Sequence, residues 1–140
     1  ETWESSGEKQ RLLASHNGYH RLSDPVTHRR EIAYNAELRR FRITDSIECA
    51  GQHLVERIWH FAEACEIAVE QNAISITREG RTAGFAFSPL AYREIIVSRG
   101  SENPIIGWIS RAYDVKAPIT TVVESLTISG STTLIVDITV

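Results

Sequence analysis

Polar and apolar residues alternate with a period of two along most of this 140-residue chain. Such alternation is typical of β-strands, because successive side chains of a strand point to opposite faces of its sheet. The clearest case is the segment 39–49, where Phe41, Ile43 and Ile47 share one face with Asp45. The pattern therefore predicts a fold made of β-sheets.

We predict about ten short strands separated by frequent turns, which favours an all-β fold of the antiparallel β-sandwich type. Residues 1–9 are polar and are predicted to be a loose lead-in, and residues 10–140 to form a single β-sandwich domain. A helix is the alternative for residues 55–69, which contain good helix formers and no Gly or Pro. We favour strands there because the strand-like stretches on either side need neighbours. The predicted strands cover residues 10–16, 26–34, 39–49, 53–62, 66–70, 73–78, 83–87, 93–98, 105–110, 119–128 and 132–140.

The overall charge and hydropathy exclude some partners. The net charge of −3 gives no general attraction to nucleic acid or to an anionic membrane. No stretch approaches the roughly 20 apolar residues that a membrane span requires. We therefore expect neither partner. The chain begins with Glu1, contains no methionine and still alternates at residues 132–140, so we expect it to be a fragment of a larger protein.

The predicted hairpin of residues 26–48 brings a histidine and a carboxylate together. One register pairs apolar residues on one face and opposite charges on the other, and it places Tyr34 opposite Arg39 and His28 opposite Asp45. A carboxylate on a core face must be paired, because an unpaired buried charge is costly. We interpret His28 and Asp45 as a structural polar pair. The alternative is an oriented acid–base pair that lines a cleft.

A second cluster comprises His16, Tyr19, His20 and Arg21. Tyrosine and histidine are suited to proton transfer, and arginine can bind a carboxylate or sulfate through two hydrogen bonds. An exposed polar strand end is the simpler interpretation of these residue types. Trp108 is the better candidate among the tryptophans for stacking on a sugar ring. Five arginines between positions 29 and 42 form either a solvated strand face or a contact for a polyanion.

We predict no metal site and no cofactor. The chain lacks a glycine-rich phosphate loop and the HExxH and GxSxG motifs. Cys49 and Cys65 have no zinc-like spacing and are expected to be free thiols. His16 and His20 are four residues apart on a predicted strand or turn, which is a weak signal for a metal.

The order of these motifs resembles that of heparinase II/III-like polysaccharide lyases. Residues 16–22 (HNGYHRL) and 25–30 (PVTHRR) resemble the H-x-G-Y-x-R-L and H-R-R stretch of that family. Residues 41–45 (FRITD) resemble its I-x-D strand, and 107–113 (GWISRAY) its last portion. The match covers most of residues 14–140. The order and spacing of these motifs carry the resemblance.

The resemblance implies that this chain is the C-terminal β-sandwich region of a multidomain enzyme. The parent would carry an upstream helical catalytic domain as its partner in the same chain and would cleave uronic-acid polysaccharide by β-elimination. The family's catalytic residues and the ligands of its structural metal are expected upstream, so no catalytic residue is assigned here. The resemblance also favours the periplasm or cell envelope over the cytoplasm.

We therefore expect an accessory or structural domain that contributes one wall of a cleft for acidic polysaccharide. The alternative is a non-catalytic carbohydrate-binding module for acidic glycans. The isolated chain is expected to be inactive. The predicted substrate-binding residues are His16, Tyr19, Arg21, His28, Arg30 and Trp108.

Overall fold

Antiparallel β-strands build the protein, as the alternation predicts. The computed structural model describes residues 1–89 and 93–140 and contains fifteen strands and no helix in that part of the chain. None of the described residues belongs to a helix able to cross a membrane. The strands are Thr2–Ser6 (β1), Lys9–Tyr19 (β2), Val26–Asn35 (β3), Arg40–Glu48 (β4), Gln52–His60 (β5), Glu66–Glu70 (β6), Ala73–Arg78 (β7), Arg81–Phe87 (β8), Arg93–Arg99 (β9), Ser101–Glu102 (β10), Ile105–Ile106 (β11), Trp108–Ala112 (β12), Val115–Pro118 (β13), Thr120–Ser129 (β14) and Thr132–Thr139 (β15).

Two sheets of unequal size form the layers of the sandwich. The large sheet has eight strands in the order β1-β2-β3-β4-β15-β8-β7-β6, and the small sheet has three in the order β5-β14-β9. Two short hairpins, β10-β11 and β12-β13, complete the described part of the chain. Because the small sheet is only three strands wide, β5 and β9 are its two edges. The architecture confirms the all-β antiparallel fold.

The core lies between the sheets in two clusters of buried apolar residues. One includes Ile43 and Val136 of the large sheet with Val122 of the small sheet. The other includes Leu134 of the large sheet with Leu126 of the small sheet. Among the described residues, neither cluster draws on β1 or β2, and β1 is exposed throughout. The large sheet therefore extends beyond the part that packs against the small sheet.

Residues 1–9, expected as a loose lead-in, contain the edge strand β1, a turn and the first residue of β2. Residues Thr2–Ser6 pair with β2, and Trp3 lies opposite Leu12. The segment is polar because it is an exposed edge and not because it lacks structure. The helix considered for residues 55–69 is absent, since this stretch holds the end of β5, a turn and the start of β6.

The expected register of the 26–48 hairpin is wrong by two residues. Tyr34 lies opposite Phe41, not Arg39, and their rings stack with centroids 4.4 Å apart. Arg39 belongs to the turn, where it has a φ of 47°. The Asn35 side chain accepts a hydrogen bond from the Leu38 backbone N–H and closes that turn. As a result, His28 lies opposite Ile47 and is diagonal to Asp45 on the same face.

Candidate functional site

A cavity of about 510 Å³ opens where the large sheet passes the free edge of β5. Its floor comes from β3 and β4, one wall comes from β5, and the segment after β2 forms its mouth. The lining residues combine apolar and ionisable side chains: Tyr19, Leu22, Val26, His28, Arg30, Asp45, Ile47, His53, Leu54, Val55, Glu56, Arg57 and Ile58. This composition suits a ligand that carries both charge and apolar surface.

The carboxylate of Asp45 lies at the centre of the cavity floor and is only 1% exposed. Arg30 donates two hydrogen bonds to it, Nε to Oδ1 at 2.6 Å and Nη2 to Oδ2 at 2.9 Å. His28 Nε2 lies 2.7 Å from Oδ1, so the structure pairs His28 with Asp45 despite the altered register. Burial by itself raises the pKa of Asp45, but the hydrogen bonds from His28 and Arg30 outweigh it. The pKa therefore lies well below its usual range.

Asp45 also begins a buried ion network that joins the two sheets. Arg57 on β5 donates from Nη1 to Asp45 at 3.3 Å and from Nε to Glu124 on β14 at 2.5 Å. Arg93 Nε on β9 lies 2.5 Å from the other oxygen of Glu124, as an ion pair whose angle is poor for a hydrogen bond. The side chains of all four residues are at most 4% exposed. Two positive and two negative charges thus balance between the sheets.

The second predicted cluster lies at the end of β2 and in the turn that follows, and its Tyr19 lines the cavity. His16 Nε2 lies 3.2 Å from His28 Nδ1, and the rings of His16 and Tyr19 are 5.3 Å apart. Arg21 Nη1 donates to the Gly18 carbonyl at 2.5 Å and its guanidinium lies 5.9 Å from the Tyr19 ring centre. The structure therefore brings His16 against His28 and Arg21 against Tyr19, and of His16, Tyr19 and Arg21 only Tyr19 is among the described residues that line the cavity.

Trp108 belongs to the separate β12-β13 hairpin and is not among the residues that line the cavity. Its Nε1 donates to the Ser101 carbonyl at 2.9 Å, and Lys116 Nζ lies 3.9 Å from its ring centre. Since a lysine occupies one ring face, sugar stacking is left with the other face. A role in binding sugar stays a prediction for Trp108.

The arginines of β4 face a carboxylate of the neighbouring strand β15. Arg42 donates two hydrogen bonds of 2.8 Å to Asp137, and Arg40 also bonds to it. These bonds, that from Arg42 foremost, lower the pKa of Asp137 to about 2. Asp137 therefore neutralises part of the basic patch, which weakens the case for a polyanion contact on this face.

Three potential metal ligands from separate segments lie near the cavity. The oxygen of Asp24, the sulfur of Cys49 and a ring nitrogen of His53 lie within 4.8 Å of one another. Asp24 already accepts hydrogen bonds from the Gly51 N–H at 2.7 Å, the Ala50 N–H at 3.3 Å and His53 Nε2 at 2.7 Å.

These contacts already occupy the carboxylate of Asp24 with hydrogen-bond donors. Burial, followed by the Asp24 charge, raises the pKa of the Cys49 thiol, which disfavours the thiolate that a metal would need. Through these hydrogen bonds, Asp24 ties the turn before β3 to the turn before β5. The cluster fits a metal less well than it fits a hydrogen-bonded clamp. The absence of a metal site stays a prediction.

The sequence analysis did not identify Arg57 and Glu124 of the buried ion network, although their positions in the alternating pattern indicate burial. Arg57 shares the strand face of Val55 and Trp59, and Glu124 shares that of Val122. A charge at a core position of an alternating strand indicates a buried partner. The Asp24 clamp carried no such signal, because its members come from distant segments.

The family model and the solved structures point to the same family. The family model described as "Heparinase II/III-like, C-terminal" matches residues 1–137. No curated protein matches the chain in sequence. Among solved structures, the heparan sulfate lyase HepC from Pedobacter heparinus superposes with a TM-score of 0.81 at 12% identity, covering 99% of this chain and 21% of that one.

Two further structures give similar values. The heparinase III described as the BT4657 gene product superposes with a TM-score of 0.78 at 17% identity, covering 99% of this chain and 20% of that one. Another heparinase III structure gives 0.78 at 14% identity with the same coverage. This chain thus spans about one fifth of the length of these structures. The fold and the family model together place it: the chain belongs to the heparinase II/III-like C-terminal family.

Proposed function

We propose that this chain is an accessory β-sandwich domain of a polysaccharide lyase and that its cavity forms one wall of the cleft for an acidic polysaccharide. Family membership supports the lyase context. HepC, which shares the fold, is a heparan sulfate lyase, and heparan sulfate is an acidic polysaccharide. The substrate of the present chain is proposed to be of the same acidic class, cleaved by β-elimination.

The observation that carries the proposal is the charge of Arg30. The buried quartet of Arg57, Arg93, Asp45 and Glu124 is balanced by itself. Arg30 adds a further positive charge, its side chain is 40% exposed, and it lines the cavity. A carboxylate or sulfate that enters beside Arg30 would meet a cation that is held in place by its bonds to Asp45.

The same cavity offers no complete set of groups for β-elimination. That reaction needs a base, an acid and a charge neutraliser around one sugar. His28 is engaged by Asp45 and His16, and one N–H of Arg21 is engaged by the Gly18 carbonyl. Tyr19 and the remaining N–H groups of Arg21 are then what these residues offer to a sugar. We therefore assign substrate holding and bracing to this chain and proton transfer to the upstream helical domain of the parent enzyme.

Replacing Arg21 or Arg30 by glutamine tests this assignment. We expect each variant to bind a heparan sulfate hexasaccharide about tenfold more weakly, because a hydrogen bond to a charged group is lost. The Arg81→Gln variant is the matched control, since Arg81 is exposed at the start of β8, which β3, β4 and β15 separate from β2 in the large sheet. Isothermal titration calorimetry at low and high salt measures these affinities.

The outcome separates the alternatives. Equal affinity in all three variants would contradict a role for the cavity. The wild-type chain should also release no unsaturated product from the polysaccharide, as followed by ultraviolet absorbance. Product release by the isolated chain would contradict the assignment of proton transfer to another domain.

A further inference from the structure

Two histidines connect the exposed segment 17–22, which is the end of β2 with the turn that follows it, to the buried Asp45. The Gly18 backbone N–H lies 3.2 Å from His16 Nδ1, and His16 Nε2 lies 3.2 Å from His28 Nδ1. His28 Nε2 lies 2.7 Å from Asp45 Oδ1. All four ring nitrogens therefore have a partner, and the chain of contacts runs without a gap from the surface to the cavity floor.

The donors and acceptors at the two ends fix the protons between them. A backbone N–H can only donate, so His16 Nδ1 must accept from Gly18. An ionised carboxylate can only accept, so His28 Nε2 must carry a proton and donate it to Asp45. With both rings neutral, the remaining proton lies on His16 Nε2 and is donated to His28 Nδ1. Every hydrogen bond then points inward, toward Asp45.

Asp45 stays ionised because cations surround it. Arg30 and Arg57 both bond to its oxygens, and its pKa is lowered accordingly. The anchor of the histidine chain is therefore an acceptor wherever Asp45 is ionised. Flipping either imidazole to its other tautomer would place two lone pairs, or two protons, face to face at one of the contacts.

We infer that Asp45 and His28 are positioning residues, which fix the tautomer of His16 and thereby hold the turn that presents Tyr19 and Arg21. The inference rests on the proposed function, in which Tyr19 and Arg21 contact the polysaccharide. Gly18 is suited to the close approach, because a Cβ built there would lie 3.2 Å from His16 Nδ1. Arg21 then caps the turn through the Gly18 carbonyl.

Nuclear magnetic resonance on the isotope-labelled chain tests the inference directly. We expect a through-hydrogen-bond coupling between His16 Nε2 and His28 Nδ1, and a proton on Nε2 of each ring. Replacing His28 by phenylalanine removes the anchor but keeps a ring. Hydrogen exchange of the Gly18 amide should then accelerate about tenfold, which corresponds to the loss of one hydrogen bond.

A second background makes the test specific. The His16→Asn variant keeps an acceptor near the position of Nδ1, and an amide oxygen needs no tautomer to be selected. In that background His28→Phe should leave Gly18 exchange unchanged. The His16→Gln variant, which lacks the nearby acceptor, should match the fast exchange of His28→Phe. Equal acceleration by His28→Phe in both backgrounds, or a proton on His28 Nδ1 in the wild type, would overturn the inference.

Glycan binding is read separately, so the two proposals can fail separately. Suppose that Gly18 amide exchange responds to His28→Phe as expected, but that this variant binds the hexasaccharide as tightly as wild type. The inference that His28 positions substrate-binding groups is then wrong. If the wild-type chain binds no hexasaccharide while the couplings and exchange rates are as expected, the hydrogen-bond chain stands and the proposed function fails.

Discussion

We expect the Arg57→Ala substitution to lower the free energy of unfolding by about 3–5 kcal/mol. Arg57 is 5% exposed and bonds to Asp45 in one sheet and Glu124 in the other. Its removal leaves two buried carboxylates with one partner fewer each, and the cost of an under-compensated buried charge exceeds that of a lost surface pair. Urea titration followed by tryptophan fluorescence measures the change, since Trp59 lies beside Arg57.

The control is an ion pair of the same residue types on the surface. Arg78 lies 3.4 Å from Glu79 and both side chains are more than half exposed, so Arg78→Ala should change the unfolding free energy by at most about 1 kcal/mol. A decrease in the free energy of unfolding below about 1 kcal/mol for Arg57→Ala would show that the buried carboxylates do not depend on Arg57 as we describe.

We expect the second large effect for Leu134→Ala, which should lower the free energy of unfolding by about 2–5 kcal/mol. Leu134 is 0% exposed, lies opposite Asp45 on the neighbouring strand and packs in the cluster with Ile47 and Leu126. Truncation removes buried apolar surface and leaves a cavity between the sheets, next to the ion network. The midpoints of thermal unfolding and of urea unfolding should both be lower than those of the wild type.

Leu38→Ala removes the same atoms from the turn between β3 and β4, where the side chain is 58% exposed. We expect a change within about 0.5 kcal/mol there. If Leu134→Ala and Leu38→Ala lower the free energy of unfolding by similar amounts, the packing around Leu134 does not form the core in solution.

The fold could be predicted from the sequence wherever one face of a strand is apolar. The segment 39–49 shows this, since Ile43 and Ile47, which share a face in the sequence, are both buried in the core as part of β4. β1 could not be found in the same way, because an exposed edge strand needs no apolar face. The register of the hairpin depended on whether Arg39 joins the turn, and stacking of Tyr34 on Phe41 decided it.

The candidate site was predictable in part for the same reason. His28 and Asp45 have the same parity as the apolar residues of their strands, so they were expected on one face and lie there. Arg57 and Glu124 carried the same signal, but their pairing requires knowing that β5 crosses above β4. That relation comes from packing between sheets, which the sequence of a single strand does not contain.

The most direct test of the central claim is to map where acidic glycan touches the chain. Titration of a heparan sulfate hexasaccharide into the isotope-labelled protein should shift the resonances of residues 17–22, His28 and Arg30, with an effect that weakens as salt is added. No shift, or shifts confined to the β12-β13 hairpin around Trp108, would contradict the account.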